Sequence, residues 1–342
     1  MRKMSKETRG GESRPEVVVF GEALVDFYPE TPGRALREVE RFVRSVGGAP
    51  ANLSVGLARL GTKVKMLTKL GDDEFGYFLH DALRAEGVDV TGVKFTGAAP
   101  TGMTFISLDA QGQRSFTSCT RQHSAEWAME GGDFEDEPFG EVAAFHVGSN
   151  LLPRRAGAAA TFALLGKAKA AGCLVSMDAN LRLHHWADPQ DALGVIREAM
   201  SYVDILKVSD EEMAYFLDGE DNPVAMYEQA RRLGVRWVCV TRGAAGVRLL
   251  GEGVDVEVEA PHVAVVDTTG AGDGFCAGLL HGMLHQAKRT ALRGPAALAA
   301  LTPDGWRGVL RLANYVGAQV CTQMGATTSL PRAAAVPWSD LA

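Results

Sequence analysis

The feature that most restricts the fold is a rhythm. Apolar runs of four to eight residues alternate with longer stretches whose apolar residues recur every three or four positions. Val17-Val18-Val19-Phe20 carries no polar side chain and reads as a strand buried on both faces. Residues 51–60 read as a helix, with Leu53, Leu57 and Leu60 on one stripe and Gly61 as its stop. Residues 64–70 read as the next strand, and 143–147, 174–177, 205–208 and 237–241 as further ones. Helical patterns over 156–171 and 225–233 fall between them. Strands separated by helices predict βαβ units, hence an α/β chain with a mostly parallel central sheet and helices on both faces. A chain of 342 residues is long enough for one such domain with insertions.

Two stretches break the rhythm. Residues 28–46 are polar and irregular. Residues 93–119 read as strand, turn, strand about Asp109-Ala110-Gln111-Gly112, the signature of a hairpin added to the main sheet. A lid is one use of such an insertion. Residues 1–16 are polar, lack the apolar core of a signal peptide, and read as a flexible tail before one domain over 17–342, with lid segments near 28–46 and 93–120. No apolar run is long enough to span a bilayer, so no membrane role is expected. A net charge of -7 argues against general nucleic-acid binding, though a phosphate could still be held by backbone N–H groups. Cys119, Cys173, Cys239, Cys276 and Cys321 form no paired metal or redox spacing. Their odd number fits a reducing cytoplasm.

Two motifs carry chemistry. The first is Asp267-Thr268-Thr269-Gly270-Ala271-Gly272-Asp273, preceded by a short apolar strand at 263–266 and followed by a helix with Phe275, Leu279 and Met283 in register. The glycine turn presents free N–H groups at a helix start, where the dipole also favours an anion. Asp273 in that first turn is either a helix cap or a general base. The second is Gly47-Gly48-Ala49-Pro50-Ala51-Asn52, either a tight turn with a cap or a set of polar groups for a polyhydroxylated ligand. There is no Walker loop. Gly21-Glu22-Ala23-Leu24 after the first strand is not a dinucleotide fingerprint.

In order and separation, the two motifs together resemble the signatures of the ribokinase-like (PfkB) sugar kinases, over nearly the whole chain. Gly21-Glu22-Ala23-Leu24-Val25-Asp26-Phe27 and Asp178-Ala179-Asn180-Leu181-Arg182 are similar to the fructokinase-like branch. The resemblance implies a three-layer fold with a small β lid, and phosphorylation of a sugar, D-fructose first, by ATP with Mg²⁺ and K⁺. It implies Asp273 as base and Gly270, Ala271 and Gly272 as anion hole. It assigns Asp26, Gly47, Gly48, Asn52, Arg121, Asn180 and Arg182 to the sugar. Lys207, Ser209, Thr241, Gly243, Gly246, Asn314 and Gly317 go to the nucleotide, and Glu212 indirectly to Mg²⁺. Asp267, Thr269, Val320, Gln323, Gly325 and Ser329 go to a monovalent cation. Pairing of two copies through the lid is a further implication. The sequence departs from that branch at Cys119 and Thr120, where aromatic residues usually stand, and at His185, where leucine usually precedes the tryptophan. The alternatives are a 2-keto-3-deoxygluconate kinase, in which the arginines meet a carboxylate, and a non-catalytic sensor on the same fold.

Overall fold

The computed structural model describes residues 15–31, 33–108, 114–118, 123–290 and 292–341. Arg121, the tip of the 93–119 hairpin and most of the N-terminal tail lie outside them. Thirteen strands lie among the described residues: β1 (Val17–Phe20), β2 (Leu24–Pro29), β3 (Phe42–Gly47), β4 (Val64–Gly71), β5 (Val93–Thr96), β6 (Met103–Leu108), β7 (Arg114–Ser118), β8 (Ala144–Gly148), β9 (Leu174–Asp178), β10 (Ile205–Ser209), β11 (Trp237–Thr241), β12 (Val247–Gly251) and β13 (Val254–Val258). Nine form one sheet in the order β13-β12-β11-β10-β9-β8-β1-β4-β5. The pairs from β11 through to β5 are parallel, while β12 and β13 add an antiparallel edge. The other four make a small second sheet, β3-β2-β6-β7.

Helices cover both faces of the large sheet: α1 (Ala49–Arg59), α2 (Glu74–Ala85), α3 (Arg155–Ala170), α4 (Pro189–Met200), α5 (Asp210–Phe216), α6 (Pro223–Arg232), α7 (Ala271–Ala287), α8 (Gly294–Ala299) and α9 (Pro303–Val320). The strand period of two divides the core into two layers. Val17 and Val19 face the side of α1, α2, α7 and α9, with Leu57, Leu83, Leu279 and Val316. Val18 and Phe20 face α3, α4, α5 and α6, with Leu164, Ile196, Met213 and Met226. This three-layer arrangement explains why the strands read as unbroken apolar runs.

Three differences from the sequence reading have physical reasons. Residues 263–266 form no strand. Val265 and Val266 are exposed, and the Val266 N–H donates to the carbonyl of Cys321 (2.8 Å), so the segment crosses the end of α9 instead of joining a sheet. The irregular region before residue 46 ends in β3, whose partner β2 begins at Leu24, so the small sheet starts earlier than residue 28. Val93–Thr96 pairs with β4 and belongs to the large sheet.

Candidate functional site

The parallel strands end together, and in open α/β sheets that edge is where ligands bind. Glu22 follows β1, Ser149 and Asn150 follow β8, Asp178 ends β9, Ser209 ends β10 and Thr241 ends β11. The start of α7 closes this row. Gly270 is its N-cap at φ 79°, a left-handed conformation that glycine adopts without strain, and a Cβ there would stand 2.5 Å from the Ala326 Cβ. Asp273 is the third residue of the helix.

The two sequence motifs, more than two hundred residues apart, meet at this point. The Asn52 amide donates to the Asp273 Oδ2 at 2.8 Å. The Asp273 carboxyl borders the cleft, with protein around most of it. That burial pushes it up to about 6, against the stabilising Asn52 bond; the charge of Asp178 raises it further, while Lys207 and Arg182 act the other way. Alternation along β2 turns Asp26 and Tyr28 away from Val25 and Phe27. Asp26 is buried directly against Gly47, where a Cβ would overlap its carboxylate. Burial, then the charges of Asp273 and Asp267, push Asp26 up to about 7. Asp26, Gly47, Gly48, Asn52 and Asp273 therefore share one polar corner between the small sheet and the large one.

On the other side of the turn, Lys207 Nζ lies 3.1 Å from Asp178 Oδ1 and 3.2 Å from where a Cβ on Gly272 would sit. Burial opposes its charge, but the charges of Asp178, Glu212 and Cys276 and the Asp178 hydrogen bond together outweigh it, and Lys207 stays an ammonium. The lysine thus sits beneath the glycine turn in a buried ion pair, not at a free strand end. Asn180 has φ 34°, its N–H donates to Asp178 (3.1 Å), and its carbonyl accepts from Ser149 (3.3 Å). Arg182 is exposed at the cleft, close enough to influence Asp273.

Ser209 and Glu212 form a reciprocal cap at the start of α5. Glu212 accepts the Ser209 N–H at 2.8 Å and the Leu181 N–H at 2.7 Å, so its carboxylate shapes the Asn180–Arg182 loop. Thr241 donates to the Val208 carbonyl (3.3 Å), and Gly243 (φ 51°) and Gly246 (φ 94°) make the turn after β11. The Asn314 amide donates to the carbonyls of Val258 and Glu259 (3.0 and 3.1 Å), tying α9 to the end of β13. Gly317 lies where α9 passes the Ala271 carbonyl closely.

The cation-site residues also gather. Asp267 accepts from the Thr269 N–H (2.9 Å), the Thr269 hydroxyl (2.6 Å) and the Gly325 N–H (3.0 Å). Ser329 donates to the Val320 carbonyl (3.0 Å), and Gln323 is exposed beside them. Arg59 from α1 clamps this loop by donating to the carbonyls of Thr327 (2.6 Å) and Leu330 (3.0 Å).

The pfkB family carbohydrate kinase profile matches residues 14–333. The chain belongs to that family. It is a sugar kinase with the ribokinase-like architecture that its two motifs imply. It is 39% identical to a fructokinase of Klebsiella pneumoniae over 92% of this chain and 96% of that one. A fructokinase from Xylella fastidiosa with bound ATP superposes with a TM-score of 0.84 at 32% identity, covering 96% and 98% of the two chains. A double mutant of the fructokinase from Vibrio cholerae O395, in a fructose, ADP and potassium ion bound form, gives 0.80 at 29% identity, covering 95% and 98%.

Sequence reasoning passed over three polar residues beside this kinase site: the buried Glu22 and Glu126 and the partly buried Asn150. Burial pushes both glutamates up to about 7. An acid two residues after a fully apolar strand was the available signal for Glu22, because an acid is costly there unless it has partners. Glu126 lies in the short 3-10 turn Ala125–Ala128, with no sequence pattern to mark it.

Proposed function

We propose that this sugar kinase transfers the γ-phosphoryl group of ATP to the 6-hydroxyl of D-fructose, giving fructose 6-phosphate and ADP. The observation that carries the reading is the Asn52–Asp273 contact. It sets an acid, pushed up to about 6 by burial, at the mouth of an anion-binding turn, in the corner that also holds Asp26. Asp273 takes the hydroxyl proton as the sugar oxygen bonds to the γ-phosphorus and the bond to the ADP oxygen breaks. The amides of the Gly270–Gly272 turn, with Lys207 beneath them, face the charge on the transferring group. Asp26, the Gly47-Gly48 turn, Asn180 and Arg182 hold the sugar hydroxyls, and the small sheet excludes water. The strand-end turns at Ser209, Thr241, Gly243 and Gly246, with Asn314 and Gly317 on α9, border the nucleotide.

Among the described residues no cluster of three or more His, Cys, Asp or Glu could hold a metal. Magnesium leans on substrate phosphates and keeps several waters, so a site with few carboxylates fits it, with Glu212 shaping the nearby loop. When bound, it offsets phosphate charge. The oxygen-rich fold around Asp267, Thr269, Val320, Gln323, Gly325 and Ser329 has the donor chemistry of a potassium site, in line with the potassium-bound Vibrio relative. Buried free thiols at Cys173, Cys239, Cys276 and Cys321 support a cytoplasmic location, and no described helix is long and apolar enough to cross a membrane. Val43 is exposed on edge strand β3, which supports pairing of two copies through the small sheet.

The second reading, a 2-keto-3-deoxygluconate kinase, rests on Arg182 at the cleft. Both acceptors offer a 6-hydroxyl, so the far end of the sugar decides. Measuring kcat/KM for each acceptor by ADP release tests this. Fructose is expected to lead by roughly 10²-fold, the scale of two mispaired buried polar groups. A lead for the keto-acid overturns the fructose assignment, and ADP release with neither acceptor overturns both.

A further inference from the structure

We infer that Glu22 is a positioning residue for the base: it anchors the glycine turn and the first turn of α1, and through Asn52 it sets the direction of the Asp273 carboxylate. The inference rests on the reading of Asp273 as the base.

Glu22 is the second residue after β1, and only 6% of it is exposed. One carboxylate oxygen, Oε1, accepts from the Asn150 amide at 2.7 Å and from the Ala49 N–H at 3.3 Å. The side chain therefore joins three segments that are distant in sequence: the end of β1, the turn after β8 and the start of α1. The glycine turn also packs on its backbone, since a Cβ on Gly48 would stand 2.6 Å from the Glu22 carbonyl oxygen. From there the path to the base is short. The Asn52 N–H donates to the Gly48 carbonyl (2.9 Å), and the Asn52 amide donates to Asp273 (2.8 Å). A buried carboxyl is costly unless its bonds are made, and these bonds all run to the turn that carries Asn52 and to its neighbour Asn150.

The charged groups around this path come from every side. Glu22 faces Asp273 from α7 and Glu126 from the segment after the small sheet. Asp273 in turn faces Asp178 from β9, Lys207 from β10, and Arg182. Burial favours the protonated form of both glutamates, so glutamine is the close mimic of Glu22: it keeps the Oε1 acceptor and adds no charge.

The test is a double-mutant cycle with Glu22→Ala, Asn52→Ala and the pair, with Glu22→Gln, Glu22→Asp and Asp273→Asn alongside. For each we would measure kcat, KM for fructose and ATP, the pH profile of kcat and the melting temperature. Glu22→Ala is expected to lower kcat by about 10–100-fold and to move the acid limb to higher pH, because a misaligned Asn52 no longer favours the charged form of Asp273. Glu22→Gln should stay within about threefold of the parent. In the Asn52→Ala background, Glu22→Ala should cost no more than about twofold further. If Glu22→Ala is too unstable to assay, Glu22→Asp, whose shorter arm pulls away from the Ala49 N–H, should give a smaller loss with the same pH shift. Additive losses in the cycle, or a drop in melting temperature with kcat and its pH profile unchanged, overturn the inference. Asp273→Asn separates the two failures: parent-like kcat removes the base reading, while an inactive Asp273→Asn with additive Glu22 and Asn52 losses removes only this inference.

Discussion

Asp26 shows at the scale of one residue what a buried acid costs the fold. It is 7% exposed, and burial followed by the charges of Asp273 and Asp267 pushes it up to about 7 from an ordinary 3.8. An acid raised in the folded state binds its proton more tightly there than in the unfolded chain. The fold therefore loses stability as pH rises from the ordinary carboxylate range to about 7, and the loss is constant above that. Asp26→Asn removes the charge but keeps the shape. At pH 8 it should melt several degrees above the parent, a gain of roughly 2–4 kcal/mol at most, and the gap should close as pH falls toward 4. Melting curves across that range check this, and a gap independent of pH contradicts it. The same variant should raise the fructose KM by about 10–100-fold, the scale of a charge-assisted hydrogen bond. Asp273 stood out in the sequence through its glycine turn and Asp26 through the family resemblance, and the structure brings both to one corner. That Asn52 would reach Asp273 was not legible, since a contact over 221 positions is made by topology and not by spacing.

At the scale of elements, reading worked where burial is complete. Val17–Phe20 and Trp237–Thr241 appear with the boundaries their apolar runs predict, because a strand covered on both faces has no polar position to blur it. The edge hairpin Val247–Gly251 and Val254–Val258 went unread. It is half-solvated, and its alternation, with Asp255 and Glu257 facing water and Val256 facing the core, is a weaker signal than an apolar run. Residues 263–266 failed in the opposite sense: they are apolar but have no strand partner. The turn into α7 was legible, and it carries the element-scale prediction. Gly270→Ala places a methyl 2.5 Å from the Ala326 Cβ at a left-handed φ. It should cost about 1–3 kcal/mol of stability and, on the proposed reading in which those amides face the transferring group, lower kcat more than it raises sugar KM. Thermal melts with steady-state kinetics test it, and an unchanged melting temperature and kcat would contradict the account.

For the whole molecule, the three layers bring the ends of five parallel strands, the first turn of α7 and the small sheet to one corner. The loop at 320–331, held by Arg59 and Asp267, braces that corner from behind. On the proposed reading, a cation bound there would stiffen the glycine turn without touching sugar. Potassium should therefore raise kcat while leaving fructose KM nearly unchanged, relative to tetramethylammonium at matched ionic strength. Equal rates in the two buffers would remove the cation site. The central claim, that the two distant motifs meet to make Asp273 a general base, has a more direct test in Asp273→Asn. Asparagine preserves size and packing, so the variant should melt near the parent and still bind ATP. Its kcat with fructose should fall by roughly 10²–10⁴. The parent's kcat/KM should rise with pH through an acid limb near 6, where Asp273 loses its proton, and the variant should lack that limb. A folded, ATP-binding variant with the parent's kcat and an unchanged acid limb would contradict the account.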